Sequence, residues 1–226
     1  MNWFFPKKRQ SWLPEHWGTY EAHFKEPLPQ GISDNTFVVL DSETTGFHPQ
    51  KDRILCLGAL KLANGEIVVK ESLEIYLVQE HYDVQSAEIH GIRKKGAQSR
   101  VPEPEALKKF LQYAKNHTLV GHHVMFDVNM INAALGRNGL PKLRNRTLDT
   151  ALLYKRTLLV SSVLHKKEKY SLDDLAEKYG ISRKDRHTAL GDALITAYAF
   201  LRILDKLSPR NLRDLMGKQN PPRIGF

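Results

Sequence analysis

Asp41 and Glu43 stand one residue apart, directly after Phe37-Val38-Val39-Leu40 and just before Thr44-Thr45-Gly46. Four apolar residues in a row, mostly β-branched or aromatic, predict a buried strand. Residues i and i+2 of an extended chain point to the same side, so both carboxylates aim at one place where the strand leaves the core. Two converging anions repel unless a cation joins them, and an all-oxygen donor set suits Mg²⁺ or Mn²⁺. Alone, the segment fits a strand ending in a solvated polar turn equally well. Three later residues decide between the two. Asp127 falls near the start of an expected helix, where a carboxylate faces the positive end of the helix dipole. His187 and Asp192 are five positions apart, about 140° on a continuous helix. They share a site most easily with His187 on the preceding loop and Asp192 in the first turns. Gly191 costs that helix roughly 1 kcal/mol against alanine and suits a close approach of backbone to ligand or sheet.

The elements that must position these groups are legible in outline. After the opening strand, 53–62 and 67–77 have strand composition, and Asn64-Gly65 between them is a strong hairpin signal. Three antiparallel strands in a meander are therefore expected. A short helix from Val84 leads to Ile89-His90-Gly91-Ile92, and a longer helix follows Pro102-Glu103-Pro104. Thr118–Gly121 reads as a fourth strand, followed by a helix with Val128, Ile131, Ala134 and Leu135 on one side. Thr147–Asp149 is a short fifth strand or a helix entry, and 152–159 continues as helix. Ser171 caps a helix that stops at Gly180, and Ala189–Leu207 is long and amphipathic. The expected class is α/β, a mixed five-stranded sheet with flanking helices.

At 226 residues the chain holds one substantial core, here 31–207, and is short for two full enzymatic domains. With 41% hydrophobic and 26% charged residues it has an ordinary globular balance, which argues against wholesale disorder. A formal charge of +9 favours a polyanionic partner. The basic residues are spread, as in Arg93-Lys94-Lys95, 142–146, 166–169 and 183–186, a distribution that a plain solvated surface also has. The single cysteine, Cys56, excludes an internal disulfide and a multi-cysteine zinc site. No apolar run reaches the ~20 residues of a membrane span, and Trp3-Phe4-Phe5 is short for a signal peptide. A cytoplasmic location is expected. Residues 1–30 carry all three tryptophans beside Lys7, Lys8 and Arg9, and are expected to pack their aromatics onto the main domain, with a docking arm as the alternative. Residues 208–226 are expected as a basic tail.

Asp-x-Glu-Thr-Thr-Gly after a strand, an acid in Phe126-Asp127 after a Gly-His stretch, and His187-x-Ala-x-x-Asp192-Ala occur in this order. The pattern resembles the DEDDh family of 3′→5′ exonucleases, most of all the proofreading ε subunits of bacterial DNA polymerase III, over about residues 36 to 206. Ile89–Ile92, Leu148-Asp149-Thr150 and Ser171–Ala176 support it. The resemblance implies an RNase H-like fold and hydrolysis of nucleic-acid 3′ ends to nucleoside monophosphates, DNA favoured over RNA. It implies that Asp41, Glu43 and Asp192 hold one Mg²⁺ or Mn²⁺. Asp41 holds a second, helped by Asp127 through water, and His187 acts as general base. Two ions about 3.5–4 Å apart activate water and support the leaving oxygen, and imidazole can take a proton near neutral pH. Thr44, Thr45 and Gly46 are implied to face the terminal nucleotide, and His90 and Ile92 to edge the last base, though a structural turn explains that stretch nearly as well. A DNA polymerase or a repair complex is the implied partner. An RNA-trimming, oligoribonuclease-like enzyme and a non-catalytic scaffold are the alternatives. Two departures stand out. His122-His123 replaces the usual His-Asn, and the C-terminus has no clear clamp-binding motif.

Overall fold

The computed structural model describes residues 13–80, 87, 90–92, 98–159 and 170–217. The expected meander is present as β1 (Phe37–Thr44), β2 (Ile54–Ala63) and β3 (Glu66–Leu77), antiparallel neighbours in that order. Asn64 and Gly65 have φ of 53° and 75°, the two left-handed residues a type I′ hairpin needs. Among the described residues the sheet has six strands rather than the five expected. The addition is β4 (Arg100–Val101), which runs parallel to the end of β3. Two residues carry no alternation to read, so sequence pattern cannot reveal such a strand. On the other side of β1 come β5 (Thr118–Gly121) and β6 (Thr147–Asp149), both parallel, giving the order β4-β3-β2-β1-β5-β6.

The helices are α1 (Glu15–Ala22), α2 (Glu103–Ala114), α3 (Met125–Arg137), α4 (Thr150–Leu159), α5 (Leu172–Tyr179), α6 (Ala189–Leu207) and α7 (Leu212–Met216). Alternation along β1 sorts them onto two faces. Val38 and Leu40 pack with Trp17, Tyr20, Phe110 and Ile131, hence under α1, α2 and α3. Phe37 and Val39 pack with Leu153, Ala197, Phe200 and Leu215, hence under α4, α6 and α7. Phe37 meets Phe200 edge to face at 5.3 Å, an arrangement aromatic quadrupoles favour. Trp17 and Tyr20 are buried on the first face. The stretch from Ser208, expected as a tail, instead places Leu212, Leu215 and Met216 in the core. Five helical residues are too few to display a period. The Trp3 and Trp12 region, the short helix from Val84, the basic runs at 93–95 and 166–169, and 218–226 lie outside the described residues, apart from 87 and 90–92.

α6 carries Asp192, and its start rests on β2 at Gly58, the residue paired with Asp41. A methyl group at Gly58 would lie 2.2 Å from the Ala189 carbonyl carbon and 2.3 Å from the Leu190 nitrogen. Only glycine admits that approach. Gly58→Ala is expected to destabilise by about 1–3 kcal/mol, at about 2–4 °C of Tm per kcal/mol. Thermal unfolding measures it, and an unchanged Tm would mean that the helix start gives way without cost.

Candidate active site

The alternation that sorts the helices also builds the site. Phe37 and Val39 face α6, and two and four residues beyond Val39 so do Asp41 and Glu43. α6 brings Asp192 to meet them. One carboxylate oxygen from each of Asp41, Glu43 and Asp192 lies within 4.8 Å of the others. Ser42 points to the opposite face, where α3 begins, and its hydroxyl donates to Asp127 Oδ1 at 2.6 Å. Asp127 therefore stands outside the three-acid group, yet its charge still acts on Asp41. The structure thus brings Asp41, Glu43 and Asp192 together and leaves Asp127 beside them.

The cluster is electrostatically costly. Burial first, then the charges of Asp127, Asp192 and Glu43, push Asp41 well above the usual carboxylate range, with Arg186 opposing. Burial, with Asp192 beside it, raises Glu43 to about 7. Burial raises Asp127 to about 7 against the Ser42 hydrogen bond. Burial also raises Asp192, and Arg186 and the nearby His187 pull it back. Asp192 is buried, and its Oδ1 has no hydrogen-bond partner. A buried carboxylate oxygen left unsatisfied beside two more carboxylates is what a hard divalent cation would complete. The oxygen-only donor set fits Mg²⁺ or Mn²⁺.

His187 is exposed on the loop before α6, with φ 64°. Thr188 caps the helix by accepting from the Gly191 N–H at 3.1 Å, and its hydroxyl donates to the Asp185 carbonyl at 2.8 Å. A Cβ on Gly191 would stand 1.9 Å from that carbonyl. The glycine that reads as a weakness in the helix is what lets the His187 loop fold back over it.

The other expected contacts are placed as follows. Thr44 Oγ1 donates to the Gly46 carbonyl at 2.7 Å, and Thr45 Oγ1 lies 3.1 Å from Asp52 Oδ1. Asp52 also accepts from the His48 N–H at 2.7 Å and leaves no room for a Cβ on Gly46. Both hydroxyls thus shape the loop after β1. His90 and Ile92 are buried about the left-handed Gly91, with the Ile92 N–H donating to His90 Nδ1 at 3.0 Å. Ile92 packs with Leu55, Cys56 and Ala189, at the foot of α6.

His122 bridges elements: Nδ1 lies 3.0 Å from the Thr150 hydroxyl and Nε2 2.9 Å from the Tyr170 carbonyl. Burial, with His123 adjacent, lowers it to about 4, so the ring is neutral near pH 7. Its Nε2–H donates to the carbonyl, and Nδ1 accepts from Thr150. His123 has φ 59° and an N–H that donates to Asp149 Oδ1 at 3.3 Å. Asparagine favours that left-handed conformation, and histidine is among the side chains that tolerate it. The departure at this position is thus accommodated by the backbone.

Four contributors escape a motif-based reading. Ser42 follows from strand alternation once the acids are assigned. Gly58 is signalled only by a glycine within an apolar strand. Arg186, bonded to Asp192, looks like one more surface charge in a basic run. Phe47 is 85% exposed and leans on Phe126 at a ring distance of 5.9 Å, beside the exposed Met125. These side chains form an apolar shelf in the stretch of chain next to Asp127.

The chain resembles known exonucleases in sequence and in fold. The exonuclease family model, RNase_T, matches residues 38–200. The chain is 35% identical over 207 residues to a PolC-type DNA polymerase III of Thermotoga petrophila, covering 86% of this chain and 14% of that one. It therefore spans only a small part of such polymerases. It is 32% identical over 183 residues to the DNA polymerase III subunit epsilon of Aquifex aeolicus, covering 80% of this chain and 86% of the relative. Among solved structures, E. coli exonuclease I in complex with a dA16 oligonucleotide superposes with TM-score 0.65 at 20% identity, over 80% of this chain and 45% of that one. Exonuclease X in complex with 5′ overhanging duplex DNA superposes with TM-score 0.60 at 20% identity, over 80% of this chain and 99% of that one. The fold is that of the RNase H-like exonucleases. By family match, motif order and sheet topology together, the chain belongs to the DnaQ-like DEDDh exonuclease family.

Proposed function

We propose that this protein is a metal-dependent 3′→5′ exonuclease that hydrolyses DNA from its 3′ end to nucleoside monophosphates, in proofreading or repair. The observation that carries the proposal is the convergence of Asp41, Glu43 and Asp192 with an unsatisfied buried oxygen on Asp192. The DNA in two of the superposed structures and the polymerase names of the relatives support DNA as substrate and a polymerase as partner. Asp41, Glu43 and Asp192 would hold a divalent ion, and Asp41 with Asp127 a second. Such ions activate water and offset charge on the phosphorus and the leaving oxygen.

The chain's own groups then have distinct tasks. His187, on its exposed loop, takes the proton of the attacking water. Ser42 keeps Asp127 oriented. Phe47, Phe126 and Met125 offer an apolar surface on which bases stack without sequence preference. The Thr44–Gly46 turn, fixed by Asp52, presents its backbone to the terminal nucleotide, and the positive net charge favours the phosphates.

The direct test is a time course on 5′-labelled single strands of DNA and RNA with Mg²⁺, Mn²⁺ or chelator. A metal-dependent ladder shortening from the 3′ end, faster on DNA, is expected. No ladder from folded protein would favour a scaffold, and a faster RNA ladder would reassign the substrate. His187→Asn keeps a side chain that tolerates φ 64° while removing the base. Its single-turnover rate is expected to fall by about 10²–10⁴-fold with Mn²⁺ binding retained. An unchanged rate would remove His187 from the chemical step.

A further inference from the structure

Arg186 makes three charge-assisted contacts from the loop between α5 and α6. Its Nε and Nη2 fork onto Asp173 at 2.8 and 2.9 Å, and its Nη1 donates to Asp192 Oδ2 at 2.5 Å. The side chain is only 17% exposed. Asp173 sits in the first turn of α5, beside the Ser171–Asp174 capping box that fixes where that helix begins. The guanidinium thus spans from an anchored helix start to a carboxylate of the acidic cluster. It takes one oxygen of Asp192 and leaves the other, Oδ1, without a hydrogen-bond partner.

We infer that Arg186 is a positioning residue for the metal site. Braced by Asp173, it locks the side chain of Asp192 so that the free oxygen faces Asp41 and Glu43, and it anchors the loop that carries His187. This rests on the reading of the three acids as metal ligands. The chemistry favours bracing over competition for the ion. A guanidinium is a planar fork whose donors cannot be redirected singly, and leaving Asp192 would strand Nη1 while its other two donors stay on Asp173. A carboxylate ligand held by such a partner loses no rotamer freedom when it binds a cation. Removing a partner that orients a ligand typically weakens metal affinity 10–100-fold. Arg186 also sits within electrostatic reach of Asp41 and Glu43 and opposes the rise in both.

The test is Mn²⁺ titration of the full chain, followed by electron paramagnetic resonance of the free ion. Wild type is compared with Arg186→Ala, Arg186→Lys and Asp173→Asn, and thermal unfolding in chelator checks the fold. Arg186→Ala is expected to weaken binding by about 10–100-fold. Arg186→Lys should resemble Ala more than wild type, because an ammonium cannot fork onto one acid and reach another. Asp173→Asn, distant from the ion, should weaken binding by a smaller factor through the loosened brace, and it carries the test if the arginine variants fold poorly. Unchanged or tighter binding in folded variants overturns the inference, and tighter binding would identify Arg186 as a competitor of the ion. A wild type that takes up no Mn²⁺ overturns the ligand assignment and this role with it, a result distinguishable from variants that bind like a binding wild type.

Discussion

Asp41→Asn is expected to abolish hydrolysis and, in chelator, to leave the protein at least as stable as wild type. Asp41 is the acid the others surround. It shares a face of β1 with Glu43, lies opposite Gly58 where α6 starts, and feels the charges of Asp127, Asp192 and Glu43. Asparagine keeps the shape and loses the charge that a cation needs. Losing a ligand shared by both proposed ions should remove several kcal/mol of transition-state stabilisation, at least about 10³-fold in rate. Stability should move the other way. The wild-type carboxyl is pushed well above its ordinary range, so its ionisation at neutral pH works against the fold. A site arranged for function at the expense of stability gains when the charge is removed. Single-turnover cleavage and chelated Tm measure the two effects together. A wild-type rate would refute the ligand role, and a lost rate with a much lower Tm would make Asp41 a structural residue instead.

The same alternation explains how far the sequence carries. Phe37–Leu40 announces a buried strand, and its period continued to Asp41 and Glu43 puts both acids on one face. Which helix would meet that face is not a local property. It follows from sheet order, with β5 parallel beside β1, and from Gly58 admitting the start of α6. Motif order supplied Asp127, His187 and Asp192, whereas the partners of Ser42 and Arg186 lie 85 and 6 residues away in sequence, and alternation gives the face of Ser42 without its partner. The N-cap at Ser171 and the stop at Gly180 were legible because their chemistry is contained in a few consecutive residues. β4 and α7 were not, being two and five residues long and so too short to repeat a hydrophobic pattern. His122-His123, a departure as a motif, is intelligible only through the structure: one ring is half-buried and doubly bonded, and the other residue sits at a left-handed φ.

The chelated protein should lose stability as pH rises from about 5 to 8, and Mg²⁺ or Mn²⁺ should remove most of that loss. Burial raises Glu43 and Asp127 to about 7 and also raises Asp41 and Asp192, whereas in the unfolded chain all four titrate near 4. Between those limits the folded state binds more protons than the unfolded state, so unfolding free energy falls with increasing pH. Below about pH 4 both states are protonated and the penalty is absent. It grows as pH passes from the unfolded values toward and through the folded ones. A divalent ion needs the deprotonated acids, so it competes with protons, and its apparent affinity should drop about tenfold per pH unit for each proton displaced below about pH 7. The metal-induced rise in Tm should therefore be small at pH 5.5 and large at pH 8. Thermal melts across pH with chelator or Mn²⁺ measure both slopes, with Asp41→Asn as the comparison whose chelated slope is shallower. A chelated Tm that climbs over this range would mean that the carboxylates are relieved within the protein itself, with Arg186 as the group at hand to do it.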